Sequence, residues 1–343
     1  MHLRVAILDI LLLLFLGKPL WMWLLFLSLV ASLLVFDLGI LHRNDHEIGV
    51  AESLRLSALY ITLGLAFAGF VWWQIDATAT AQYLTAFVVE KTLALDNIFV
   101  IALIFGFFGV PRQYQHRVLF WGILGVILLR GLMIGFGATL VEQYHWVLYV
   151  FAAFLIFTGI RMLVSADKEP EIGENGFVRF LKRRLNVTEG LHGHAFVVQV
   201  PHPVTGRMTR FATPLFLALI TIEIADLVFA VDSVPAVFTI TTDPYIVYTS
   251  NIFAILGLRA LYFALAAILH RFAYLKYALS VLLVFIGSKI FVADLMGWEK
   301  FPPEWSLGIT VAILAAGIVY SLCKTRTGPV TPQIGTETLE RRV

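Results

Sequence analysis

Apolar stretches of about 20 residues, the length a helix needs to cross a bilayer, recur along almost the whole chain and leave it few ways to fold. A soluble domain carries about 25% charged residues. Here charged residues make up 14%, hydrophobic residues reach 59% and the mean hydropathy is +0.86. The chain therefore reads as an all-α polytopic membrane protein. Nine spans are expected, near residues 20–41, 54–74, 79–109, 117–141, 146–164, 213–240, 246–269, 274–294 and 305–323. Residues 5–16 are also apolar, but the run is short and ends at Gly17-Lys18-Pro19, which favours an interfacial segment over a span. No small-residue cleavage site comes after it, so a signal peptide is the weaker reading.

Lys and Arg cluster in alternate connections: Arg43 and Arg55, Arg112 and Arg117, Lys168 with Arg179 and Lys182 to Arg184, Arg271 and Lys276, then Lys324 and Arg326. The intervening connections carry Asp76, Glu142, Asp243 and the group Glu299, Lys300 and Glu304. By the positive-inside rule the N-terminus is outside and the C-terminus cytoplasmic. The distribution is what informs, because the net charge is only +2 and gives no sign of a nucleic-acid partner. A single cysteine, Cys323, excludes a disulfide framework or a thiolate metal cage.

The chain divides into a leading segment with two spans (1–78), a three-helix unit (79–164), a polar cytoplasmic stretch (165–212), a second three-helix unit (213–294), and a last span with its tail (295–343). Within the polar stretch, Lys182-Arg183-Arg184 reads as a solvated anchor near lipid headgroups. Alternation around Pro201 to Gly206 predicts a small hairpin, Ala195 to Val200 with Arg207 to Phe211. His192, His194 and His202 lie there and read as solvated loop residues rather than a sensor.

Two acidic strings interrupt the apolar runs: Glu90-Lys-Thr-Leu-Ala-Leu-Asp96-Asn97 and Asp226-Leu-Val-Phe-Ala-Val-Asp232-Ser233. Aligning the two strings also brings their downstream residues into register. Gly122-Ile-Leu-Gly125 with Arg130 matches Ala254-Ile-Leu-Gly257 with Arg259, and Phe157-Thr-Gly159-Ile-Arg161 matches Phe285-Ile-Gly287-Ser-Lys289. Each unit has three spans, an odd number, so the charge count makes the two units inverted. Inverted repeats that enclose a ligand near the midplane are a recurrent plan in secondary transporters.

A carboxylate in hydrocarbon costs roughly 2.5–3.5 kcal/mol on insertion scales, and here several need a partner. A six-residue step sets Glu90 and Asp96, and likewise Asp226 and Asp232, roughly 120° apart on a regular helix. Either each acid meets a different neighbour or the helix unwinds between them, and Pro235 argues for a break in the second copy. The candidate ligands are Asp37, Glu90, Asp96, Asp226 and Asp232, with neutral oxygens from Asn97, Ser233 and Asn251. All are hard oxygen donors, which suit Mn²⁺, Ca²⁺ or Mg²⁺ and do not suit Zn²⁺ or Cu⁺. Lys91, Arg130 and Arg259 can neutralise some of these acids, and Glu223 fits such a charge-pair role better than metal ligation. Protons are a plausible coupling ion, and the oligomeric state stays open.

The strings Glu90 to Val100 and Asp226 to Ala236, with Thr249-Ser-Asn251-Ile-Phe-Ala-Ile-Leu-Gly-Leu-Arg259-Ala-Leu-Tyr262, resemble the signatures of the TerC/Alx integral membrane family. The likeness runs from about Pro19 to Lys324. Members are associated with manganese efflux, alkaline-pH-linked induction and, by name, tellurium resistance. The resemblance implies Mn²⁺ export across a bacterial inner membrane, with Glu90, Asp96, Asp226 and Asp232 at the family's acidic positions, and no enzyme activity. Two other readings stay open. An intramembrane aspartyl hydrolase needs one facing dyad, whereas the acids here are duplicated. A membrane scaffold would use the acids only for salt bridges with Lys91, Arg130 and Arg259.

Overall fold

The computed structural model describes residues 11–36, 49–144, 146–164, 187–188, 190–201, 207–266, 274–298 and 301–326. The side chains of Asp96, Asp232 and Arg259 lie outside that description, as does the whole of Asp37. The described residues form ten helices: α1 (Leu20–Phe36), α2 (Val50–Gln74), α3 (Ala77–Phe107), α4 (Arg112–Gln143), α5 (Val147–Val164), α6 (Pro214–Ile240), α7 (Pro244–Leu256), α8 (Leu258–Ala266), α9 (Leu275–Leu295) and α10 (Pro303–Arg326). Each of the nine expected spans has a helix, and the seventh is divided in two at Gly257. Six helices, α2, α4, α5, α6, α9 and α10, are long and apolar enough to cross a membrane, while α1 and α7 are shorter apolar helices. The fold is that of an all-α polytopic membrane protein.

Residues 5–10 lie outside the description, but the end of that apolar run turns back on itself. Strands β1 (Leu14–Phe15) and β2 (Lys18–Pro19) pair antiparallel, and Trp23 Nε1 donates to the Phe15 carbonyl at 2.9 Å. A second hairpin, β3 (Val197–Pro201) with β4 (Met208–Ala212), precedes α6. Of the three loop histidines, His192 and His194 are described and His202 is not.

Two acids in the connections cap helices. Asp76 accepts from Ala79 N–H at 2.6 Å at the start of α3. Asp243 accepts from Tyr245 N–H at 2.9 Å at the start of α7, where Pro244 occupies the first turn. Both place a carboxylate at the positive end of a helix dipole. Trp72, Trp73, Trp146, Trp298 and Trp305 are exposed where α2, α5, α9 and α10 meet the α2–α3, α4–α5 and α9–α10 connections. An aromatic belt at one membrane face has this composition.

The expected break at Pro235 is not there: α6 runs unbroken from Pro214 to Ile240, with Pro235 inside it. A proline removes one ladder bond, and packed neighbours make that tolerable in a membrane helix. The interruption falls instead at Gly257, where Tyr60 and Lys91 fill the space beside the missing side chain. The other acidic helix, α3, is also continuous through Glu90 and Asp96.

The helices α5 and α9 approach closely and reciprocally. A Cβ on Gly159 would stand 2.8 Å from the Ser280 carbonyl oxygen, and one on Gly287 would stand 2.5 Å from that of Ala152. Val284 and Ile156 are the next neighbours of the two glycines. The step that carries Gly159 to Gly287 also carries Ala152 to Ser280 and Ile156 to Val284. The two helices run antiparallel, and each presents the same positions to the other.

Candidate functional site

Four helices meet in the interior: α3 packs on α6 and α7, and α4 packs on the same two. Their shared core is mostly aliphatic and aromatic, with Ala86, Val89, Ile134, Val234 and Val247 buried in it. Into that core the acidic strings and α4 deliver polar groups.

Arg130 is the hub. It is 3% exposed, on α4, and forms an ion pair with Glu90 of α3, which is fully buried. The same guanidinium donates to Ser233 Oγ of α6 at 3.0 Å and to Asn251 Oδ1 of α7. Asn251 is held in turn by its own amide, which donates to the Val247 carbonyl at 3.1 Å. One cation thus ties together one helix of each acidic string and the helix after the second string. All three contacts are made by one terminal nitrogen, Nη1, so a single charged group is shared among acceptors on three helices.

A second polar contact lies beside it. Asn97 Nδ2 donates to Asp226 Oδ1 at 3.3 Å, joining the end of the first string to the beginning of the second. Both acidic helices are continuous, so the described acids find their partners without an unwound segment. Glu90 turns to α4 and Asp226 to α3, so each of these acids meets a neighbour on another helix.

The cluster is incompletely satisfied. Glu90 has no hydrogen bond beyond its ion pair, and Asn97 Oδ1 and Arg130 Nε are buried without a partner among the described residues. A cavity of about 100 Å³ opens beside them, lined by Glu90, Asn97, Arg130, Ser233, Met162 and Leu283. Burying such groups unpaired is costly, and the cavity is where water or an arriving ligand would complete them. No three His, Cys, Asp or Glu residues converge among the described residues. The described carboxylates of the cluster are Glu90 and Asp226.

Lys91 and Glu223 lie at the edge of this arrangement. Lys91 Nζ donates to the Ala254 carbonyl at 2.9 Å, in the last turn of α7, where helix carbonyls lack intrahelical partners. It fills the space left by Gly257. Glu223 has its two oxygens buried without a hydrogen-bond partner among the described residues, in the space left by Gly125. Gly125 and Gly257 are matched positions in the repeat, so one half accommodates a carboxylate and the other an ammonium. Sequence reasoning missed the Ala254 carbonyl, because a backbone acceptor freed by a helix break has no residue-type signal. It also missed that Arg130 bridges both halves, though an arginine inside an apolar run was itself the clue.

The chain matches the Integral membrane protein TerC family over residues 75–328. The chain belongs to the TerC family. It is 43% identical over 315 residues to the uncharacterized membrane protein STKORF319 of Myxococcus xanthus, covering 92% of this chain and 96% of that one. An uncharacterized membrane protein of Rickettsia bellii is 44% identical over 302 residues, covering 88% and 97%. A protein of Escherichia coli K12 named "Putative membrane-bound redox modulator Alx" is 43% identical over 307 residues, covering 87% and 92%. No solved structure matches. The TerC match spans every residue of the polar cluster.

Proposed function

We propose that this TerC-family protein exports Mn²⁺ from the cytoplasm across a bacterial inner membrane, through an intramembrane site between two inverted three-helix repeats. The observation that carries the reading is the Glu90–Arg130 pair, seated at the junction of both acidic strings beside a cavity. In the described conformation Arg130 neutralises Glu90. Mn²⁺ entry requires Arg130 to release Glu90, after which the Glu90, Asp226, Asn97 and Ser233 oxygens face the metal, joined by Asp96, Asp232 and Asp37. These are hard oxygen donors of the kind Mn²⁺ takes. Return of Arg130 to Glu90 would help expel the ion, and protons taken up by the emptied carboxylates offer a return coupling.

The reciprocal α5–α9 contact supports the inverted repeat, since matched helices that run antiparallel imply a two-fold axis in the membrane plane. The distribution of Lys and Arg supports an external N-terminus and a cytoplasmic C-terminus. A second reading, a membrane scaffold, draws on the same Arg130 network, which pairs charge without any metal. A redox role, suggested by the printed name of the Alx relatives, finds one thiol in this chain, Cys323, and hence no disulfide within it.

Flux of ⁵⁴Mn²⁺ into proteoliposomes separates the readings. Wild type should transport, faster with an imposed pH gradient, and Asp96→Asn and Asp232→Asn should lose transport while remaining folded and inserted. Equal inertness of all three folded proteins would discard export in favour of the scaffold.

A further inference from the structure

Apart from the polar cluster, one buried charge has no evident use. Lys289 lies near the C-terminal end of α9, two residues beyond Gly287, and is 4% exposed. Among the described residues its one polar partner is Ser306 Oγ of α10 at 3.4 Å, a long contact between an ammonium and a hydroxyl. The side chain lines a cavity of about 240 Å³, framed by the C-terminal end of α6, the N-terminal end of α5 and the start of α10.

The other groups at this cavity point to what belongs in it. Asp294, five residues beyond Lys289, is exposed, accepts from Tyr149 Oη at 2.7 Å and forms no ion pair with the lysine. Thr239 Oγ1 donates to its own helix at the Ala236 carbonyl. Most of the remaining wall is apolar, with Leu148, Phe238, Ile290 and Phe301. A buried ammonium with so little compensation is expensive unless an anion joins it. The cavity supplies the room, and an apolar wall beside one cation suits an anion that carries hydrocarbon.

We propose that this cavity is a phosphate site, with Lys289 Nζ as the central donor and Ser306 Oγ as the second. Lysine binds phosphate as a point charge. The cavity lies at the membrane face that bears the exposed tryptophans, where a phospholipid headgroup can enter from the side and free phosphate from solution. The site is separate from the polar cluster and does not depend on metal export.

The test is a thermal-stability titration of the full-length protein in detergent, with two probes: sodium phosphate against sodium chloride at matched ionic strength, and short-chain phosphatidylglycerol against short-chain diacylglycerol, which lacks the phosphate. Native mass spectrometry of the same samples counts retained lipid. Wild type should be stabilised by a phosphate-bearing probe, with the shift lost in Lys289→Met and kept in Lys289→Arg. Stabilisation by phosphatidylglycerol alone identifies a lipid headgroup, and stabilisation by inorganic phosphate identifies a free anion. Ser306→Ala, which keeps the charge, should bind about tenfold more weakly and guards against a Lys289→Met protein that fails to fold. No stabilisation of wild type by either probe, or an equal shift in folded Lys289→Met, overturns the proposal.

Discussion

Where α5 meets α9, Gly159 and Gly287 let backbone touch backbone, and Leu155, Leu282 and Ile286 fill the flanks. Where α3, α4, α6 and α7 meet, an ion pair and hydrogen bonds cross a core that could have been apolar. Lipid tails are as apolar as leucine, so helices in a membrane gain little by hiding hydrocarbon from water. Close packing of small residues is the economical way to hold two such helices together, and the α5–α9 contact uses it. The central cluster uses charge, which is costly to bury and adds little net stability even when well paired. Of the two interfaces, one looks built for cohesion and the other for something that needs charge to move.

The largest effect is expected from breaking the cohesive interface. In Gly287→Leu the new Cβ would meet the Ala152 carbonyl oxygen, a backbone atom that cannot swing aside. Overpacking that side chains can absorb costs about 1–3 kcal/mol. Here backbone stands in the way, so the two helices must part and the loss should exceed that of breaking a buried ion pair, about 3–5 kcal/mol. The variant should lose the monodisperse peak in size-exclusion chromatography of solubilised protein. Gly159→Leu, at the matched position, should do the same. A normal peak for either would mean that the two helices are not locked together.

Next comes the charged interface, where the double change should cost less than the single one. Arg130→Met leaves Glu90 buried beside an apolar side chain, and removing one partner of a buried pair costs about 3–5 kcal/mol. The double variant Glu90→Leu with Arg130→Met removes both charges and should recover most of that loss, as read by thermal unfolding in detergent. Metal flux should be absent from both. If the double variant is no more stable than Arg130→Met, the cluster holds the bundle together and the contrast with α5–α9 fails.

The positions of the helices were legible because hydropathy and length alone specify a membrane span, and Glu90, Asp226, Arg130 and Asn251 stood out as polar residues in apolar runs. The partners were not legible. Nothing in the spacing tells that Arg130 reaches α3, α6 and α7 at once, since that depends on how four helices cross. The break illustrates the same limit. Pro235 carries a strong local signal for interruption, yet α6 passes through it, while Gly257 ends α7 where Lys91 can reach the freed Ala254 carbonyl. Lys289 matched Arg161 in the repeat, but the match is silent on burial: Arg161 is exposed at the end of α5 and Lys289 lies inside.

The smallest effect should come from a third kind of contact, an ion pair at the surface. Lys18 of β2 approaches Asp243 at 2.9 Å, with both side chains partly exposed, and joins the leading hairpin to the α6–α7 connection. A pair of this exposure contributes about 0–1 kcal/mol. Asp243 has two uses that its two oxygens keep apart: Oδ2 faces Lys18, whereas Oδ1 accepts from Tyr245 N–H and caps α7. Lys18→Ala and Asp243→Asn should therefore both be nearly silent in thermal unfolding, because asparagine keeps a capping oxygen. Asp243→Ala loses the cap as well and should cost about 1 kcal/mol more. Equal losses in the alanine and asparagine variants of Asp243 would instead assign the stabilisation to charge, and the hairpin would then be tied to the bundle more strongly than a surface pair allows.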